Sequence, residues 1–256
     1  MDRDLLYPGQ LGLVDNFLNA FKAAMVSDGM IAESILGQST QLVGLAATPL
    51  SNTTVSGAAF AVSIGRGAIF SFQETDPNAY GVLGTDTATN ILKTGINLAS
   101  TNVGLTNVAP ATAGQSINYL ISAQFQEADT NSVALPFYNA SGTPTITTEN
   151  ATRTQRVVFQ VTGGLPATTG SQLTPAVPAG CVPLYVVTIT NGQTAVVSGD
   201  IALASGAPFI TNLGTLAAEI ATLTSEVASA TSGSAAAMGN FKQAILIFST
   251  TTLTQT

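Results

Sequence analysis

The chain has no histidine, one cysteine and very little charge, and each shortage closes a class of function. Without imidazole, zinc sites of the usual kind are excluded, and a Ser or Cys nucleophile has no base beside it. A serine–lysine pairing would need a buried lysine, whereas Lys22, Lys93 and Lys242 fall in polar or helical contexts. There is no Gly-x-Ser-x-Gly elbow. Gly65-Arg66-Gly67 is too short for a phosphate loop and no Gly-Lys-Ser/Thr follows it, so it reads as a turn. Cys181 cannot close an internal disulfide; in the apolar run Gly180-Cys181-Val182-Pro183-Leu184 it reads as a small buried hydrophobe. The expectation is a protein that is not an enzyme, with no cofactor and no metal site.

Charged residues make up 8% of the 256, where a soluble domain ordinarily carries about 25%. A surface so poor in charge suits a chain that buries much of itself against its own copies. A mean hydropathy of +0.37 argues against disorder. The seven basic residues are scattered and the net charge is −7, which speaks against nucleic acid as a partner. The longest aliphatic and aromatic run, Ile245-Leu246-Ile247-Phe248, is far short of the roughly 20 residues of a membrane helix. The opening Met1-Asp2-Arg3-Asp4 lacks the basic and apolar regions of a signal peptide, so synthesis in the cytoplasm is expected.

What is present divides by pattern. Residues 1–37 read as helical. Asp15 or Asn16 caps a stretch whose Phe17, Leu18, Phe21, Ala24 and Met25 recur at helical spacing. Ser27 or Asp28 starts a second, shorter turn holding Met30, Ile31 and Ile35, which Gly37 stops. Residues 38–207 read as short strands. Phe60, Val62 and Ile64 alternate with smaller residues, as do Ile117 to Phe125 and Val157 to Val161. Asn191-Gly192 signals a hairpin between Tyr185–Thr190 and Thr194–Val197. Pro166, Pro175, Pro178 and Pro183 mark an extended connector. The predicted fold is mainly β with helical ends: an antiparallel β-sandwich or open barrel, N-terminal helices and a short C-terminal coiled-coil helix.

That last helix is predicted over 208–235. Leu213, Leu216, Ile220, Leu223, Val227 and Ala230 follow each other by three and four, the a/d pattern of a coiled coil. Under three heptads of seam cannot order a helix alone, so it must extend something already assembled. The tail, 236–256, is strand-like, and its Phe241–Thr256 is a candidate for pairing with another chain.

Three weaker signals remain. Glu127 and Asp129, at i and i+2, share a face of an extended segment, as a glycosidase pair or a calcium ligand set would. The bland reading is a solvated strand end before the turn Thr130-Asn131-Ser132, and it is preferred. Glu74 and Asp76 read the same way. Phe137-Tyr138 suits core packing better than stacking on a sugar.

Several segments resemble, in order, the N-terminal part of tail-fibre and baseplate-associated proteins of tailed bacteriophages and prophages of Gram-negative bacteria. They are Tyr7-Pro8-Gly9-Gln10, the run from Ala113 to Ile121, the run from Leu135 to Ser141, Ala167 to Gln172, and Val182 to Ile189. The resemblance implies a homotrimeric virion component in the tail, attached to the baseplate or tail tip and serving host adsorption. It implies attachment through the N-terminal segment, where Tyr7, Phe17, Leu18, Phe21 and Met25 are candidates, and a distal fibre protein or a chaperone as partner of 241–256. The seam itself does not distinguish dimer from trimer. The competing expectations are a carbohydrate-binding, adhesin-like module acting through Tyr138 and loop carboxylates, and a glycan-degrading enzyme using Glu127 and Asp129.

Overall fold

The computed structural model describes residue 8 and residues 13–50, 55–106, 109–138, 141–210 and 216–232. The chain divides into two compact units, Met1–Ile210 and Thr211–Thr256. The protein is mainly β, with a curled half-barrel sheet, an N-terminal helix and a short C-terminal helix.

The first unit opens with helix α1 (Val14–Leu36). Its start is held by Asn16, whose Oδ1 accepts from the Leu13 backbone N–H at 2.9 Å. Gly37 ends it at φ 74, its N–H donating to the Glu33 carbonyl. The helix runs unbroken, where the sequence predicted a break near Ser27 and Asp28. Neither side chain caps a new turn, and Gly29 does not interrupt the helix because packing favours it there. A Cβ at Gly29 would lie 3.1 Å from both Ile91 Cβ and the Leu92 carbonyl, so glycine is what lets the helix approach the sheet.

The strands are β1 (Gln41–Gly44), β2 (Ala47–Leu50), β3 (Phe60–Ile64), β4 (Gly67–Asp76), β5 (Asp86–Asn97) and β6 (Thr101–Leu105). They continue as β7 (Gln115–Tyr138), β8 (Pro144–Gly163), β9 (Ala167–Thr168), β10 (Val182–Thr190) and β11 (Ile201–Leu203). The large sheet has the order β1-β4-β5-β8-β7-β10-β11, with β9 also on β7, and a small sheet has the order β2-β3-β6. Neighbours are antiparallel except β5 and β8, which meet in parallel at Ile96 and Arg156.

Chain reach shows why the large sheet must curl. Six steps between seven strands would span about 29 Å if flat. Yet residues 204–210 lead from β11 at one edge to β1 at the other, where Leu42 N–H donates to the Pro208 carbonyl and Ile210 N–H to the Leu42 carbonyl. Six residues from Leu203 to Phe209 reach at most about 21 Å. A flat sheet would leave that connection too short.

The small sheet supplies the cover. The chain switches between sheets at one corner, through Leu45-Ala46, Gly65-Arg66 and Leu98–Ser100. The expected Gly65-Arg66-Gly67 turn is this corner and not a hairpin. Gly67 there lies so close to the Val43 carbonyl and the Leu45 N–H that no Cβ fits. Asn97 Nδ2 donates to the Gly65 carbonyl at 3.0 Å and ties the corner together. Both sheets share one core: Leu42, Val62, Ile64, Ile69, Leu105, Tyr119, Ile121, Leu184 and Ile189 are all buried in it.

Three strand expectations are corrected. Asn191-Gly192 turns the chain, but 194–197 form no strand; a 3-10 turn at Ser198–Asp200 follows, and β11 becomes the partner of β10, with Tyr185 opposite Leu203. The strands are not uniformly short, since β7 and β8 are 24 and 20 residues long. And Thr130-Asn131-Ser132 reverses nothing: Asn131 adopts φ 61 within β7, and the pairing resumes at Ser132–Asn150 in unchanged register. The local ladder of β8 outweighed the turn preference of Asn. The proline-bearing connector has regular structure only at β9, with turns at Thr169-Gly170 and Ala179-Gly180.

Candidate functional site

Two kinds of feature stand out beyond the core: a band of buried and half-buried ion pairs and a set of exposed apolar stripes.

The band lies on the core-facing side of the large sheet. Side chains alternate across a strand, so Lys93 of β5, Glu127 and Asp129 of β7, and Arg153 and Gln155 of β8 share the face that carries Ile69, Ala123 and Val157. They lie further along the strands, where α1 and not the small sheet provides the cover. Lys93 Nζ donates to Glu127 Oε2 at 2.7 Å, and Gln155 Nε2 donates to the same oxygen at 2.7 Å. The Lys93 side chain is 1% exposed and that of Glu127 9%. Gln155 also reaches Met25 Sδ of α1 at 3.5 Å. Beside this group, Lys22 of α1 meets Asp76 at 2.8 Å and Asp86 at 3.3 Å. Arg153 clasps Asp129 with two nitrogens, at 2.7 and 3.0 Å, and lies 4.6 Å from the Tyr80 ring centre.

Protonation follows from these contacts. The Asp76 carboxylate beside Lys22 raises the lysine above its ordinary value of 10.5, against a smaller opposing effect of burial. Hydrogen bonding from Arg153 lowers the Asp129 carboxyl, and bonding from Thr89 lowers Asp86. Burial raises the Tyr80 phenol. A carboxyl held low by a guanidinium does not serve as a proton donor at neutral pH.

The preferred reading of Glu127 and Asp129 as a solvated strand end is overturned for Glu127, which is buried; Asp129 is exposed, and both lie inside β7 and not at its end. They share a face, as their spacing predicted, but each is held by its own cation. Lys93 is buried, contrary to its expected polar setting, because the Glu127 carboxylate, itself held by Gln155, accepts the hydrogen bond of its ammonium group there. Asp76 is buried beside Lys22, whereas Glu74 is exposed. A cavity of about 430 Å³ opens against the band, lined by Gln73, Glu74, Thr87, Asn90, Lys93 and Glu127 among others. Glu127 Oε1 has no hydrogen-bond partner among the described residues. Among those residues no group of three or more His, Cys, Asp or Glu is gathered for a metal ion.

The stripes are simpler. Among the described residues the helix α2 covers 216–232; residues 208–210, inside the predicted span, are not helical because they are held on β1. Of the predicted seam, Leu213 lies outside the described residues; Leu216, Ile220, Leu223 and Val227 are 43%, 57%, 59% and 58% exposed, and Ala230 is exposed too. The hydroxyls of Thr222, Thr224 and Thr231 bond back to carbonyls one turn earlier, so they need no outside partner.

On α1 the candidate attachment residues separate. Leu18 points at Gly81 in the β4–β5 loop and Met25 at Gln155 of β8, so both are taken up by the β unit. Phe17 and Phe21 are exposed. Tyr7 lies outside the described residues, as do residues 241–256.

Beyond Thr130, β7 and β8 pair only with each other and project as a two-stranded ribbon. Phe137 and Tyr138 are exposed there, together with Ile146, which corrects the expectation that they pack in a core. Cys181 is half-buried, not buried, with its Sγ 3.5 Å from Gln160 Oε1. No helix among the described residues is long and apolar enough to cross a membrane. Comparison with protein-family models, with curated proteins and with solved structures returned no match.

Proposed function

We propose that this chain is a structural, non-enzymatic subunit of a bacteriophage tail, made in the host cytoplasm and assembled with its own copies into a fibre or the proximal part of one. The observation that carries the reading is α2: one face holds Leu216, Ile220, Leu223 and Val227 in a/d spacing, all exposed in the single chain. A free helix with such a face, described over 17 residues, is marginal in water and is stabilised by a matching face. The subunit's charge supports the same reading, since Lys22, Lys93 and Arg153 already form ion pairs within it. The tail and its trimeric state come from the resemblance of the ordered segments, and the partners it brings are baseplate or tail-tip proteins and a distal fibre protein or chaperone. The described helix 216–232, within the predicted span 208–235, is the proposed coiled coil of this fibre, while residues 208–210 belong to the edge of β1.

Two measurements test the reading. Deleting residues 211–256, which leaves the 208–210 contact with β1 in place, lowers the oligomer mass seen by light scattering. Antibody labelling of assembled particles marks the tail. An unchanged mass removes the α2 seam, and label confined to the capsid removes the tail assignment.

A second reading has one specific observation in its favour. Tyr138, 71% exposed at the end of the ribbon, is placed to stack on a sugar face. On that reading the chain is a carbohydrate-binding module that contacts a host glycan. A glycan array probed with the chain and with Tyr138→Ala decides it: binding must appear with the first and vanish with the second.

A further inference from the structure

The outward face of α1 carries a heptad stripe of its own. Val14, Phe17, Phe21, Ala24, Asp28, Ile31 and Ile35 follow one another by three and four along the whole helix, and every one is exposed. The helix uses a different face for its own sheet, through Leu18, Lys22, Met25 and Gly29. The stripe is therefore surplus to folding the subunit. We infer that it is a self-association seam, packing against α1 of another copy of this chain. This deepens the oligomeric reading above and moves Phe17 and Phe21 from attachment to self-contact.

Periodicity, area and charge argue for a copy as the occupant. Three-four spacing is what lets knobs of one helix enter holes of a like helix. Val14, Phe17, Phe21, Ile31 and Ile35 are 62%, 57%, 72%, 56% and 73% exposed. That leaves on the order of 500–600 Å² of apolar surface per copy, more than the few hundred Å² a monomer ordinarily leaves uncovered. Two such faces together bury roughly 1,100 Å², close to the lower bound of a stable protein interface. A membrane is a poor occupant, since an interfacial helix needs a basic polar face. Here the only cation on α1 is Lys22, which Asp76 and Asp86 hold, while Asp15, Asp28 and Glu33 are acidic. Asp28, the one polar residue in the stripe, weakens the seam while restricting its register, as a single polar a position does.

The test uses the full chain with Cys181→Ser and a new cysteine at Ala24→Cys. Position 24 is midway along the stripe and so meets its counterpart whichever way two helices run. Oxidation is expected to give a disulfide-linked pair, which a Ser171→Cys control does not. Adding Phe21→Glu, at an exposed site that leaves the fold intact by circular dichroism, reduces the linked fraction about tenfold or more, and Asp28→Leu tightens self-association by at least about tenfold. No link at 24 above the control, or a link indifferent to Phe21→Glu, overturns the proposal. So does a link to a different polypeptide in host lysate, or flotation with anionic vesicles that Phe21→Glu abolishes. Leu223→Glu with Val227→Glu keeps the two readings apart. A lower mass with the link at 24 retained supports both, whereas an unchanged mass with the link retained removes the α2 seam alone.

Discussion

The two helices carry the same kind of stripe and depend on it differently. α1 has a second face, in which Leu18, Lys22, Met25 and Gly29 meet the sheet, so its own chain folds it. α2, over 216–232, has exposed residues on every side. An apolar stripe on the first is an addition to a stable element; on the second it is the main reason for the element to exist. Identical spacing thus carries different energetic meaning, and the difference lies in whether any other face is satisfied.

The most severe way to break that comparison acts on α2. Leu223→Glu with Val227→Glu should abolish association through this helix and remove its share of the helical signal, read by light scattering and circular dichroism. The melting temperature of the β unit should stay where it was.

Next in size is the ion pair beneath α1. Lys93→Met leaves Glu127 buried without its cation and should cost about 3–5 kcal/mol in a denaturant melt. Lys93→Met with Glu127→Leu should recover most of the loss, because replacing both partners leaves no unpaired charge. A double variant as unstable as the single one would mean that packing, and not charge, holds this region.

Gly29→Val tests the first face of α1 directly. The added side chain meets Ile91 and the Leu92 carbonyl at once, and a stability loss of about 1–3 kcal/mol is expected from the forced displacement. Gly37→Val, at the helix end, adds nothing to that interface and reports only the strain of its φ of 74.

The smallest effect is electrostatic. Arg153 holds Asp129 below the ordinary carboxylate range, so this contribution is complete above the unfolded value of about 3.9 and is lost as pH falls through the folded one. Asp76 holds Lys22 above its ordinary 10.5, so that contribution is complete below it and is lost only as pH rises beyond. Between about pH 5 and 9 both are constant. Asp129→Asn should cost less than about 1 kcal/mol at neutral pH, since the carboxylate is 41% exposed, and should flatten part of the acid-side fall in melting temperature between pH 5 and 2.

Much of the fold was legible. The alternation at Phe60–Ile64, Ile117–Phe125 and Val157–Val161 marked β3, the buried part of β7 and part of β8, and Gly37 marked the end of α1. What was missed follows from non-local pairing. A turn at Asn191-Gly192 says the chain reverses, not which strand it will join, and β11 lies eight or more residues later. Thr130-Asn131-Ser132 has turn residues, but nineteen pairs between β7 and β8 hold it in register. The buried state of Lys93 was hidden because its partner, Glu127, is 34 positions away. One signal was available: at two-residue spacing Lys93 shares a strand face with Ile91 and Gly95.

The sequence by itself determined the mainly β character, the two helical ends and both three-four stripes, because these depend on neighbours within about seven residues. Tertiary structure alone decided that the sheet curls, that Lys22, Lys93 and Arg153 become internal ion pairs, and that one face of α1 is covered while the other is not. Those outcomes depend on which distant strands lie side by side, and side-chain spacing along a chain does not encode that distance.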